Sequence, residues 1–174
     1  RGRRAVTEGE FVAALRRLPL HAGARGLLDD AAVVDGLVVT TDTLVEGVHF
    51  LPGDPPADVA WKLLATNLSD LAAKGAAVEG VLLNYPLRDG GWDRAFLAGF
   101  GDALAATGTR LVGGDTVSLP AGAPRVLTLT ALGGDAVAPV RGGARAGDVL
   151  WVTGTIGDAG AGLAIARGAP GPDA

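Results

Sequence analysis

The chain contains no cysteine, which excludes disulfides, zinc–thiolate centres and thiol nucleophiles. Lysine is almost missing too: it occurs only at Lys62 and Lys74, so a lysine-built phosphate cradle has few candidates. The two histidines, His21 and His49, fit no serine-nucleophile triad. Methionine is absent even at position 1. A start methionine followed by arginine is not normally trimmed, so the expectation is a chain lacking its native beginning. No apolar run approaches the ~18–20 residues of a spanning helix. The basic opening RGRR leads into a polar amphipathic stretch, not a signal-peptide core, so a cytoplasmic protein with no membrane partner is expected. Excess positive charge is lacking as well. The net charge of −4 leaves no basic stripe for nucleic acid.

What is present fits one full domain and the start of a second, over residues 1–137 and 138–174 of the 174. A domain of about 150 residues buries roughly 70% of its unfolded surface without staples. Thr7 and Glu10 form a capping-box pair ahead of the apolar face Phe11, Val12, Leu15 and Leu18, predicting a first helix that runs to Pro19. AAVVDGLVVTTD holds two β-branched runs around Asp35-Gly36, a strong hairpin signal. Asp58 is placed to cap a second helix that stops at Gly75. VEGVLLNYPL predicts a strand, WDRAFLAGFGDALAAT a third helix closed by Gly108, and TRLVGGD and PRVLTLTALG two more strands. GARAGDVLWVTG reads as a turn and a strand before a glycine-rich entry into a last helix, and the tail ARGAPGPDA suggests a fragment. Strands and helices alternate irregularly around one tight hairpin. This predicts an α+β fold with a mixed β-sheet, followed by the start of a second α/β domain.

Aspartates recur at element ends. Asp29 and Asp30 precede a strand, and Asp115 follows Gly113-Gly114; both are ordinary turn positions. Asp70 shares a helix face with Thr66, Asn67 and Lys74, opposite Trp61, Leu64, Leu68 and Ala72, which is the pattern of a solvated face. Asp42 is harder to explain this way, because it closes an apolar strand and is followed by Leu44 and Val45. A lone buried carboxylate is expensive unless it is paired or bound to a cation. Converging carboxylates without cysteine or histidine clusters suit Mg²⁺. Phosphates beside them require divalent ions between. No GxxxxGK[ST] is present. GTIGDAGAG (154–162) fits no GxGxxG pattern, and tight packing explains it as well as anion binding does.

TTDTLVEGVHF, NLSDLAAKGA, LVGGDT and VTGTIGDAGAGL, in this order, resemble the thiamine-monophosphate kinase family of the aminoimidazole-ribonucleotide-synthetase-like ATP-binding superfamily. The resemblance implies Mg²⁺- and ATP-dependent phosphorylation of thiamine phosphate to thiamine diphosphate, in a homodimer formed through N-terminal domains. It places Asp30, Thr40, Thr41, Asp42, Asp70 and Asp115 on magnesium, Gly114, Asp115 and Arg141 on ATP, and His49 on the substrate. No residue is assigned as a catalytic acid or base, because the attacking phosphate oxygen is already anionic.

The sequence departs from the family at Leu28, where a glycine is usual, at Lys74, where methionine is common beside Asp70, and at VSLP after GGDT, where an arginine is often found. A fragment ending here is expected to be inactive alone. Two other readings remain at this point. One is a different ATP-dependent member of the superfamily, such as a purine-biosynthetic synthetase or a hydrogenase-maturation protein; the other is a non-catalytic dimerisation module.

Overall fold

Asp35 and Gly36 have φ of 49° and 82°, the paired positive angles of a two-residue hairpin turn whose twist matches the strands it joins. That turn links β1 (Ala32–Val34) to β2 (Leu37–Val45). The computed structural model describes residues 6–134 and 136–171. The RGRR opening and the final Pro-Asp-Ala of the tail lie outside the described residues. The chain divides into two compact units, Arg1–Gly142 and Gly143–Ala174.

In the first unit, α1 (Glu8–Leu15) carries the expected reciprocal cap between Thr7 and Glu10. It ends at Leu15, short of Pro19, and Phe11 is 59% exposed, so the predicted apolar face is not buried. After the hairpin, α2 (Pro56–Ala73) leads to β3 (Ala77–Leu87), α3 (Gly90–Thr107), β4 (Leu111–Ser118) and β5 (Val126–Gly134). Asp58 does not cap α2. The helix starts earlier, with Pro55 as N-cap and Pro56 inside the first turn, where a missing amide costs nothing. Gly75 and Gly108 close α2 and α3 with φ of 63° and 65°, as predicted.

The sheet order is β1-β2-β5-β3-β4. All pairs are antiparallel except β3 with β4, which α3 connects as the crossover that a parallel pair requires. The mixed α+β sheet expected from the sequence is therefore the observed fold. Val38 and Leu44 of β2, Leu127, Leu129 and Ala131 of β5, and Val81 of β3 form the strand side of the core. Val59, Leu63, Leu64 and Leu71 of α2, with Phe96 and Phe100 of α3, form the helix side. Burying each valine, leucine or phenylalanine among them contributes about 1.5–3 kcal/mol. Helices α2 and α3 approach closely at Gly99, where an added Cβ would lie 2.4 Å from Ala57 Cα. On the alternate residues of β2 and β5, hydroxyls pair across the strands, Thr43 with Thr128 at 2.8 Å and Thr130 with Thr41 at 3.1 Å.

The second unit contains α4 (Asp158–Ala166), the last helix expected from the glycine-rich entry. The predicted strand through Asp148–Gly154 does not form. Its apolar residues have no partner ladder, and Leu150 and Trp151 are 89% and 90% exposed. An extended segment without strand neighbours cannot satisfy its backbone as a sheet.

Candidate functional site

β1 pairs with β2 only as far as Val39. Beyond it, the outer edge of β2 runs free past Thr40, Thr41 and Asp42. The side chain of Asn67, fully buried on α2, supplies the missing partner: its Oδ1 accepts from the Asp42 amide at 3.2 Å, while its Nδ2 donates to Leu63 O at 2.9 Å. Thr40, 3% exposed, donates its hydroxyl to Asp70 Oδ2 at 2.7 Å and lies 3.3 Å from the Asp30 carbonyl. One hydroxyl thus ties the turn before β1 to the last turns of α2. Sequence periodicity set Thr66, Asn67, Asp70 and Lys74 on a solvated face, and that expectation is corrected. Asn67 and Lys74 are buried because α2 is packed by the sheet on one side and α3 on another, and a helix covered twice shows no single polar stripe.

Asp42 has no basic partner among the described ion pairs. Burial pushes its carboxyl up from the usual range, the neighbouring Asp70 and Asp30 charges add to the rise, and His49 opposes it. Three acids therefore sense one another around Asp42, which does not close the strand as the sequence suggested: it lies inside β2, paired with Leu129 of β5. Asp29, immediately before, is the opposite case. Its carboxyl is held below the usual range, chiefly by the Lys74 ammonium, with Arg25 at 3.1 Å assisting against the effect of burial. Lys74 also donates to Pro139 O at 2.9 Å, and Arg25 to Ala138 O at 2.9 Å. The departure at Lys74 therefore serves Asp29 and leaves Asp70 with the Thr40 hydroxyl but no basic partner among the described ion pairs.

The other predicted residues are distributed as follows. Arg141 forms an ion pair with Asp30. His49 sits in the turn after β2, and its Nδ1 accepts from the Val45 amide at 3.0 Å, which leaves Nε2 as the ring nitrogen available to a ligand. Thr41 turns to the other face of the sheet, where its hydroxyl donates to Leu129 O at 3.0 Å. Asp115 is exposed on β4, beside Asn84 of β3. With β5 and β3 intervening, it stands about 14 Å from β2 at ordinary strand spacing. Gly114 lies against the β3 backbone; an added Cβ would come within 1.8 Å of Leu83 O, so its absence is required for β3–β4 pairing whatever else it touches. The structure thus brings together Asp30, Thr40, Asp42 and Asp70, with Arg141 and His49 at the margin, and does not bring the Thr41 hydroxyl or Asp115 to them. Among the described residues, no three acidic or imidazole groups form a ready-made metal cage. Unscreened like charges keep apart.

Sequence reasoning missed the roles of Asn67 and Asp29, and the Trp61 and Lys62 side chains near Asp42. Asp42, Trp61, Lys62, Thr66, Ser69 and Asp70 line an open hollow of about 580 Å³. The signal for Asn67 was its place three residues before Asp70 on the same helix; the others had none.

Electrostatically, the Asp42, Asp70 and Asp30 carboxylates and the Thr40 hydroxyl gather hard oxygen donors in one neighbourhood without forming a cage among the described residues. That donor set suits a magnesium ion, which takes one or two carboxylates and completes its octahedron with water and phosphate oxygens. Among the described residues, no helix is long and apolar enough to cross a membrane.

The sequence matches the family described as AIR synthase related protein, N-terminal domain, over residues 28–134. It is 43% identical over 152 residues to the thiamine-monophosphate kinase of Escherichia coli K12, covering 80% of this chain and 45% of that protein. It is 44% identical over 173 residues to the thiamine-monophosphate kinase of Caulobacter vibrioides, covering 90% of this chain and 47% of the relative. The chain thus spans about half the length of these relatives. A solved structure of AaThiL complexed with AMPPCP and TMP superimposes with a TM-score of 0.79 at 28% identity, covering 95% of this chain and 55% of that one. The resemblance read from the four sequence motifs is borne out, and the chain belongs to the AIR synthase related proteins through their N-terminal domain.

Proposed function

We propose that this chain is the ATP- and metal-binding N-terminal part of an ATP-dependent thiamine-phosphate kinase. The observation that carries the reading is Asp42, a partly buried acid inside an apolar strand, unpaired with any described base and close to two further carboxylates. A cation resolves that electrostatic conflict, and a phosphate-bearing substrate supplies the rest of its shell. The names of the relatives favour thiamine phosphate as acceptor over the acceptors of other ATP-dependent members.

In this reading Asp30, Asp42 and Asp70 would hold Mg²⁺ with Thr40 and the Thr41 backbone, and Asp115, on β4 with two strands intervening, would hold a separate magnesium ion. Gly114, Asp115 and Arg141 contact ATP, and His49 Nε2 donates to the acceptor. Magnesium supplies charge neutralisation between the triphosphate and the carboxylates. A phosphate oxygen of thiamine phosphate attacks the γ-phosphorus, the bond from that phosphorus to the β–γ bridging oxygen breaks, and ADP departs with the electron pair. The nucleophile is already anionic, so positioning and electrostatics suffice without a protein base.

Residues 138–174 begin a second domain in this proposal, and residues 1–174 alone turn over poorly or not at all. The protein acts in the cytoplasm as a homodimer through its N-terminal domain. The exposed β4 edge, with Leu111, Val112 and Val117 each more than half exposed, supports such an association. Incubating the full-length protein with ATP, Mg²⁺ and thiamine phosphate should yield ADP and thiamine diphosphate. ATP consumption only with a different acceptor would overturn the assignment.

A further inference from the structure

We infer that Arg125 is a positioning residue for the reaction, because it braces both ends of the turn that carries His49. The inference rests on the kinase reading only for what His49 Nε2 meets; the brace itself is geometry. Arg125 directly precedes β5 and is 2% exposed. It continues the β2–β5 pairing past Val45 and Val126, with one change of partner. The Glu46 amide donates to Arg125 O at 2.9 Å, but the Arg125 amide donates to the Glu46 carboxylate, at 2.8 Å. The ladder therefore ends on a side chain, at the residue where the chain leaves the strand.

From Glu46 the chain folds back so that Phe50 bridges to it. Within that turn the Gly47 amide donates to Phe50 O at 2.8 Å and the His49 amide to Val45 O at 2.9 Å. Side chains from outside the turn hold its two ends. Arg88 grips the Glu46 carboxylate with two bonds, at 2.8 and 3.1 Å. Phe50, 6% exposed, stacks on Trp92 with ring centres 6.4 Å apart. The Arg125 guanidinium reaches both holds. Its carbon is 3.9 Å from the centre of the Trp92 ring, and its Nη1 is 3.7 Å from Glu46 Oε1. One planar cation thus braces the carboxylate end by charge and the aromatic end by the ring face.

As a stabilising device this arrangement is weak. Nε and Nη2 of Arg125 are buried without a hydrogen-bond partner among the described residues. Its separations from the carboxylates, 3.7 Å to Glu46 and 3.9 Å to Asp93, exceed hydrogen-bond length. An apolar residue of similar size would avoid the free-energy cost of burying an incompletely satisfied charge. It could not hold a ring face and a carboxylate at once. The Val45 amide, one residue from the brace, donates to His49 Nδ1 at 3.0 Å. The orientation of the imidazole therefore follows from where residues 45 and 46 stand against the rest of the turn.

The test reads the imidazole directly, by nitrogen NMR of the full-length protein with labelled histidine, at a pH where the ring is neutral. Loss of a signal in His49→Gln identifies His49. With Nδ1 accepting, the wild type should show the Nε2–H tautomer, and Arg125→Met should give a mixture of both tautomers. Steady-state kinetics supply a second reading. Arg125→Met should raise KM for thiamine phosphate about fivefold or more while KM for ATP stays within about twofold of wild type. In a His49→Gln background the same substitution should leave the thiamine phosphate KM within about twofold, because the two residues act as one. Arg125→Lys keeps the charge and loses the planar fork; it replaces Arg125→Met, under the same criteria, if circular dichroism shows the latter unfolded. An unchanged tautomer, a smaller rise in KM, a parallel rise for ATP, or an equal effect without His49 overturns the inference. If no thiamine diphosphate forms at all, the kinase assignment fails, and the tautomer result still decides on Arg125.

Discussion

Asp29 and Asp42 flank the same β1–β2 hairpin and have opposite surroundings. Asp29, with its side chain 3% exposed, is clamped between Lys74 and Arg25, and its carboxyl is held low. Asp42 has no basic partner among the described ion pairs, and burial with the Asp70 and Asp30 charges pushes its carboxyl up. The first acid is satisfied by the fold itself, pinning the turn, the end of α2 and the segment at Ala138–Pro139 to one another. The second has no basic partner among the described residues, and its surroundings disfavour its charge. Two aspartates in one hairpin region thus differ by the sign of their neighbours, one serving the architecture and the other assigned to binding only in the proposed reading.

The largest expected effect breaks the satisfied side. Lys74→Met leaves a buried carboxylate with Arg25 as its one cation among the described ion pairs and should lower stability by about 3 kcal/mol in urea unfolding. Adding Asp29→Asn should recover part of that loss, because the uncompensated charge disappears. Asp42→Asn should behave in the opposite way. A carboxyl whose folded pKa is raised stabilises the fold when protonated and loses that contribution as pH rises through the folded pKa. At neutral pH, without metal, the asparagine variant should therefore be no less stable than wild type. Its binding of a Mg²⁺–ATP analogue, followed by calorimetry, should fall about 100-fold.

Next in size, Gly114→Ala should cost about 2–3 kcal/mol, because its Cβ would strike Leu83 O and force β4 away from β3. Thermal unfolding measures this, and an unchanged midpoint would show that the strand pair relaxes freely.

The smallest effect tests the loop that carries His49. Burial alone would raise Glu46, but the Arg88 fork at 2.8 and 3.1 Å and the Arg125 amide at 2.8 Å outweigh it and hold the carboxyl low. A depressed carboxylate contributes stability above its unfolded pKa, near 4.3 for glutamate, and loses it as pH falls through the folded value. Glu46→Gln should cost about 1–2 kcal/mol at pH 7 and flatten the acid limb of a Tm-versus-pH curve.

Much of the fold was legible in the chain because its signals are local. Asp35-Gly36 specified the hairpin, the glycines at 75 and 108 stopped two helices, and the irregular order of strands and helices implied a mixed sheet. Where a local signal needed a distant partner, it failed. The Leu150–Trp151 segment has β-propensity and no strand beside it, and the helix face containing Asn67 and Lys74 was read as solvated because periodicity cannot report a second covering layer. Of the site, the motifs named Asp30, Thr40, Asp42 and Asp70, which assemble along the open edge of β2, with Arg141 and His49 at the margin. Asp115 carried an equally good motif and lies across the sheet.

By itself, the sequence determined the element types, the family and the kinds of donor atom available, since these depend on residue identity and near-neighbour spacing. Tertiary structure alone decided which carboxylate is paired. Lys74 is four residues from Asp70 but meets Asp29, forty-five residues away. Charge compensation acts through distance in space, and chain spacing does not encode that distance once a helix end, a turn and a strand edge are packed together.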